Sequence, residues 1–187
     1  MLPDLWIPFV AVGLAEMGDK TQLSVFLLSS KTEKRLQLFL GVALAFLTVD
    51  GFGVALGSWI TNKIPLSAMK AASGIMFLAF GVLTLKDWKI GEKPWMDSFN
   101  PSSKPFIGGY ALIFMAEWGD KTQVASALFA TRYEALMVLM SVMTALIILS
   151  GISIYLGKLV LEKVDRRLMK KASGIMFMMI GFLSFFS

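Results

Sequence analysis

The sequence predicts an all-α integral membrane protein of six transmembrane helices, arranged as two inverted three-helix repeats. Three observations carry that expectation. Hydrophobic residues make up 56% of the 187 positions and the mean hydropathy is +0.70, whereas a soluble domain holds roughly 45–50% apolar residues. The charges gather in short segments between long apolar runs, as in a chain whose solvent is mostly lipid. The chain also repeats itself. Residues 15–22 read AEMGDKTQ and residues 116–123 read AEWGDKTQ; residues 69–77 read MKAASGIMF and residues 169–177 read MKKASGIMF.

A hydrocarbon core about 30 Å thick requires about 20 helical residues. The first apolar run, 5–29, meets that length and carries Glu16, Asp19 and Lys20 in its middle. It has no basic leader, and charges at its centre are foreign to the apolar stretch of a cleavable signal peptide. The second and third spans are 36–60 and 66–85. Composition then changes: residues 86–105 hold three prolines, several charges, and Trp88 and Trp95. That stretch reads as an interfacial linker with its tryptophans at headgroup level. Spans at 106–130, 134–160 and 168–186 follow. The expected organisation is a first three-helix repeat over 1–86, a cytoplasmic linker over 87–104 and a second repeat over 105–187.

The two matching pairs of segments are offset by 101 and 100 residues, in the same order and at the same place in each half. Each half has an odd number of spans, so the second enters the membrane from the opposite side and lies inverted. Inverted repeats characterise secondary transporters, whose substrate site sits near the bilayer midplane between the repeats. Lysine and arginine set the orientation. Thirteen of the 18 fall in the first loop, the linker and the last loop, and three (Lys63, Lys70, Arg132) in the alternate loops. Basic loops stay cytoplasmic, which places both termini outside the cytoplasm.

The chain has no cysteine and no histidine, so imidazole and thiolate ligands are absent and any metal site is built from oxygen. The same absences leave no convincing nucleophile–base pair for an intramembrane enzyme. The net charge of +5 sits beside apolar spans, so the basic partner surface is the lipid bilayer rather than nucleic acid.

Glu16 and Glu117 each lie about twelve residues into a span, near mid-membrane at 1.5 Å of rise per residue. A charge there costs at least a few kcal/mol and marks a functional candidate. Each half carries three such groups: Glu16, Asp19 and Lys20, and Glu117, Asp120 and Lys121. On a continuous helix Glu16 and Asp19 share a face, and Gln22 and Gln123 extend the polar stripe as further candidate metal ligands. Gly18 and Gly119 permit close approach, or an unwound turn, although no proline marks a break. Four carboxylates against two lysines leave −2, which one divalent cation or two protons neutralise. Asp50, deep in the second span, is a further ligand or a carrier of the coupled proton; its counterpart in the second half is Ser150. Thr21, Thr122, Ser24 and Ser126 offer neutral oxygens. Gly53, Gly57 and the repeated Ala-Ser-Gly of the third and sixth spans suit close helix packing. Such an all-oxygen set suits Ca²⁺, Mn²⁺ or Mg²⁺ alike.

The two E-x-G-D-K-T stretches, Glu16 to Thr21 and Glu117 to Thr122, resemble the duplicated E-x-G-D-[KR]-[ST] signature of the Ca²⁺/Mn²⁺ cation:proton exchangers. The resemblance spans the whole chain, with one motif in each half and a charged linker between. It implies that Glu16, Asp19, Glu117 and Asp120 bind the transported cation; no resident cofactor is expected, and the −2 balance gives Lys20 and Lys121 a charge-compensating role. The short chain looks like the bacterial manganese exporters of that family, which implies Mn²⁺ export across the inner membrane in exchange for protons. A Ca²⁺/H⁺ antiporter and an exporter of a cationic organic solute are the alternatives.

Overall fold

The computed structural model describes residues 2–61, 63, 65–86, 104–161 and 166–184. These form eight helices: α1 (Leu2–Glu16), α2 (Lys20–Ser29), α3 (Arg35–Thr61), α4 (Leu66–Lys86), α5 (Pro105–Glu117), α6 (Lys121–Ala130), α7 (Ala135–Leu161) and α8 (Arg166–Leu183). No strand occurs among the described residues. The expected linker, with Trp88 and Trp95, lies outside them except for Lys104, as does the side chain of Lys20.

The second, third, fifth and sixth expected spans are each one helix. The first and fourth are not, and this corrects the reading of a continuous helix through Glu16 and Asp19. Each consists of two short helices, α1–α2 and α5–α6, separated by a three-residue turn. α3 and α7 are 27 residues each, about 40 Å long at 1.5 Å per residue, and are long and apolar enough to cross a membrane. α5 starts on Pro105, whose missing N–H costs nothing at a position with no intrahelical acceptor. The backbone amides of Leu136 and Met137 donate to the Glu134 carboxylate, which caps α7.

α3 packs along α5, α6 and α7, while α7 packs along α1, α2 and α3. Each long helix therefore lies chiefly against the broken span of the other half of the chain. α4 and α8 pair with each other, and α8 also meets α1. Small residues set these approaches. A Cβ on Gly57 would stand 2.1 Å from the Ala127 carbonyl oxygen, and one on Gly53 2.8 Å from that of Gln123, so α3 and α6 touch backbone to backbone. Between α4 and α8 the rings of Phe77 and Phe177 stack with centroids 6.0 Å apart. Outward, Trp6, Leu40, Phe52, Trp59, Met140 and Phe182 are exposed, an apolar surface suited to lipid rather than water.

Candidate cation site

The two breaks position the candidate side chains of both motifs, while Asp50 sits on the unbroken α3. Gly18 and Gly119 both adopt φ +81° and are the positive-φ glycines among the described residues. Only glycine enters this left-handed region without a Cβ penalty, so the break needs no proline. Turning there frees the glycine amide from its helical acceptor, and a glutamine four residues on takes it up. Gly119 N donates to Gln123 Oε1 at 2.8 Å, and Gly18 N to Gln22 Oε1 at 3.3 Å. Gln123 also ties the break to α3 by donating from Nε2 to the Val49 carbonyl at 3.0 Å. Both glutamines thus brace backbone with the oxygens that the ligand reading assigned to the cation.

Glu16 and Glu117 end α1 and α5, and Asp19 and Asp120 stand just before α2 and α6. Asp120 holds the N-cap position of α6 without a side-chain capping bond. Four half-helix ends meet here: the carbonyl ends of α1 and α5 and the positive N-terminal ends of α2 and α6. Irregular backbone is tolerated at such depth only where protein buries it or it lines a cavity.

The two motifs pair crosswise. The Thr21 hydroxyl donates to Glu117 Oε1, and the Thr122 hydroxyl donates to Glu16 Oε1. Both glutamates are buried, each 2% exposed. Carboxylate oxygens of Glu16, Asp19 and Asp120 lie within 4.8 Å of one another, close enough to share a metal ion. A cavity of about 30 Å³ opens on these three and is also bordered by Thr84, Lys121 and Phe177. Three carboxylates and one ammonium group leave −2 at its wall, the charge of one divalent cation with opposite sign.

The structure does not bring all the candidates into one cluster. Glu117 accepts from Thr21 and is not one of the three acids whose oxygens all lie within 4.8 Å of one another. Asp50 is buried on α3 and accepts a hydrogen bond of 2.7 Å from Ser126 on α6, while nearby Thr48 donates to the Leu44 carbonyl of its own helix. Its counterpart Ser150 borders a cavity of about 10 Å³ with Glu16 and Gln22. Thr84 and Phe177 were not singled out from the sequence: Thr84 had one signal, a hydroxyl in an otherwise apolar stretch, and Phe177 had its place at the end of the repeated segment 169–177.

Comparison with known proteins follows the same residues. The family described as "Divalent cation/proton antiporter GDT1" matches residues 4–92 and 105–187. A protein of Vibrio cholerae serotype O1 named "Putative manganese exporter" is 30% identical over 185 residues, covering 97% of this chain and 90% of that protein. "GDT1-like protein 5" of Oryza sativa subsp. japonica is 22% identical over 212 residues, covering 93% and 90%. "GDT1-like protein 3" of Arabidopsis thaliana is 21% identical over 206 residues, covering 97% and 70%. No solved structure matches.

Proposed function

The chain belongs to the GDT1 family of divalent cation/proton antiporters, and from that premise we propose that it exports Mn²⁺ from a bacterial cytoplasm in exchange for protons. The family is one of membrane transporters rather than enzymes. The observation that carries the proposal is the convergence of Glu16, Asp19 and Asp120 on one cavity where four half-helices end. The name of the Vibrio cholerae relative supports Mn²⁺ as the cargo. The cavity favours a small ion: about 30 Å³ admits an ion with a water or two, each needing about 10–15 Å³, and a basic amino acid does not fit.

In this reading the broken helices count as single spans, giving six in two inverted repeats, 1–86 and 105–187, joined by a cytoplasmic linker over 87–104. The protein sits in the inner membrane in this reading, and the basic loops support termini on the periplasmic side. Glu16, Asp19 and Asp120 bind Mn²⁺, Glu117 completes the site as the ion passes, and Gln22 and Gln123 hold the half-helix ends in place. Lys20 and Lys121 offset the negative charge of the empty site. Metal binding requires ionised carboxylates, so protons entering from the periplasm displace the ion there, and their loss to the cytoplasm restores affinity. Asp50, set apart from the trio, carries a coupled proton.

Purified protein in liposomes, given an inward-directed proton gradient and a panel of divalent cations, tests the proposal. Mn²⁺ movement against the proton flow, lost in Glu16→Gln and Asp120→Asn, is the expected result. Wild-type flux in either variant, or no Mn²⁺ flux in the unaltered protein, overturns it. Asp50→Asn is expected to keep Mn²⁺ binding while its flux no longer responds to the gradient. Ca²⁺ carried in preference to Mn²⁺ would replace the cargo and leave the site unchanged.

A further inference from the structure

We infer that the cavity of about 10 Å³ between α2 and α7 is a site for one ordered water molecule, which joins Gln22 to Glu16 and positions that carboxylate. Its effect on the cation rests on the reading of Glu16 as a ligand. Glu16, Thr21, Gln22, Leu149 and Ser150 all contribute to its wall. Glu16 alone borders both this cavity and the one it shares with Asp19 and Asp120. A molecule held here therefore touches a cation ligand from outside the space of the cation itself.

Gln22 identifies the occupant. Its side chain is buried, and its Oε1 accepts from the Gly18 amide at 3.3 Å. Only an oxygen can accept there, which fixes Nε2 as the other end of the amide. Among the described residues Nε2 finds no acceptor, and a buried donor left without one is costly. A neighbour that satisfies Gln22 must accept a hydrogen bond, whereas one that satisfies the Glu16 carboxylate must donate one or carry positive charge. A metal ion or an ammonium group meets the second demand and fails the first. Water meets both. One water requires about 10–15 Å³ and two to four polar partners, and this cavity offers that volume with polar groups from Glu16, Thr21, Gln22 and Ser150.

The internal repeat carries an independent argument. An offset of 101 takes Gln22 to Gln123 and Val25 to Ser126, and one of 100 takes Leu149 to Val49 and Ser150 to Asp50. At that twin position protein atoms make every bond themselves. Gln123 Nε2 donates directly to the Val49 carbonyl at 3.0 Å, and the Asp50 carboxylate accepts from Ser126 at 2.7 Å. Around the cavity the same places hold a serine, shorter than aspartate, and a valine without a hydroxyl. Gln22 keeps its donor and has lost the direct acceptor. A water molecule supplies the oxygen that Ser150 does not extend far enough to provide. Glu16 is then held by the Thr122 hydroxyl from the other motif and by this water beside α7. Hydrogen-bond partners behind a metal ligand change affinity by about 10- to 100-fold.

Two variants of the full-length protein separate filling the cavity from replacing its water. Ser150→Val adds a methyl group that makes no hydrogen bond. Ser150→Asn adds an amide, whose oxygen accepts from Gln22 and whose N–H donates to Glu16 as the water does. By isothermal titration in detergent, Ser150→Val is expected to weaken Mn²⁺ binding at least about tenfold. Ser150→Asn is expected to stay within about threefold of the unaltered protein, since a direct bond matches a water-mediated one. Val25→Ile fills the same space from the opposite wall and serves should Ser150→Val fail to assemble. Equal affinity of the filling variant and Ser150→Asn overturns the positioning role. A requirement of Na⁺ or K⁺ for Mn²⁺ binding, abolished by Ser150→Val, overturns water as the occupant. The site itself is read directly from a metal-free experimental structure at a resolution that shows ordered solvent. Density within hydrogen-bond distance of Gln22 Nε2 and the Glu16 carboxylate is expected. No density there, or Gln22 bonded straight to the Leu149 carbonyl, overturns the site. Where the unaltered protein binds no Mn²⁺, the reading of Glu16 as its ligand fails, and the water site is still decided by that density.

Discussion

Thr122 donates its hydroxyl hydrogen to Glu16, a residue 106 positions away in the other half of the chain, and Thr21 returns the same bond to Glu117. Each motif therefore orients the acid of its twin, and neither half builds a site alone. A hydrogen bond to an ionised group contributes about 1.5–3 kcal/mol, or about 10- to 100-fold in an equilibrium. Thr122→Val keeps the shape and removes the donor. It is expected to lower Mn²⁺ transport by that factor in proteoliposomes, with Thr122→Ser near the unaltered protein; equal activity of the Val and Ser variants would refute the orienting role.

The trio and Glu117 are separable. Glu16→Gln, Asp19→Asn and Asp120→Asn each remove a charged oxygen from the shared cavity, and each is expected to weaken Mn²⁺ binding at least about tenfold by isothermal titration. Glu117→Gln, outside the trio, is expected to change resting affinity by less than about threefold while still impairing transport. Binding to the unaltered protein should weaken as pH falls, because protons and metal compete for the same carboxylates. A loss with Glu117→Gln as large as with the others would merge the two groups into one resting site.

Gly119 holds φ +81° with no heavy atom within 4 Å of where a Cβ would stand. Any cost of replacing it is therefore backbone strain and not a clash. Gly119→Ala is expected to destabilise the protein by about 1–2 kcal/mol, and Gly119→Asn by less, since asparagine tolerates the left-handed region better. Thermal unfolding in detergent ranks the three; Ala at parity with Gly would show that the break can relax.

A paired substitution on α3 tests the backbone contact. The Cβ of Gly57→Ala meets the Ala127 carbonyl at 2.1 Å, while that of Gly51→Ala meets nothing within 4 Å. Gly57→Ala is expected to push α6 off α3 and to lower both stability and transport. Gly51→Ala is expected to be neutral or stabilising by about 0.5–1 kcal/mol, the usual gain of alanine over glycine inside a helix. Similar unfolding midpoints for the two would contradict the tight α3–α6 approach.

Much of this architecture was legible in the residues. Apolar runs located the helices to within a few positions, because lipid demands length and allows few charges. The duplicated motif singled out Glu16, Asp19, Glu117 and Asp120 because acids at that depth are costly. The breaks were harder to see. Met-Gly-Asp and Trp-Gly-Asp read as tolerable helix, and nothing in either tripeptide obliges its glycine to choose positive φ; the support comes four residues on, where Gln22 and Gln123 receive the freed amides. The crosswise threonine bonds and the division of the acids into a trio with Glu117 and Asp50 apart arise from how α3 and α7 bring distant segments together. No spacing along the chain encodes that, and it is also why Ser126, and not a neighbour in its own half, proves to be the partner of Asp50.

Phe77 and Phe177 occupy the same place in their respective halves and stack on one another. A residue that touches its own twin sits where exchanging the halves changes nothing. If the halves trade roles during a cycle, this pair of rings is the fulcrum that both arrangements share. Motion is then smallest at Phe77 and Phe177 and grows toward the two ends of α4 and α8, so a lever of ordinary helices converts a slight roll at its middle into opening at one mouth and closure at the other.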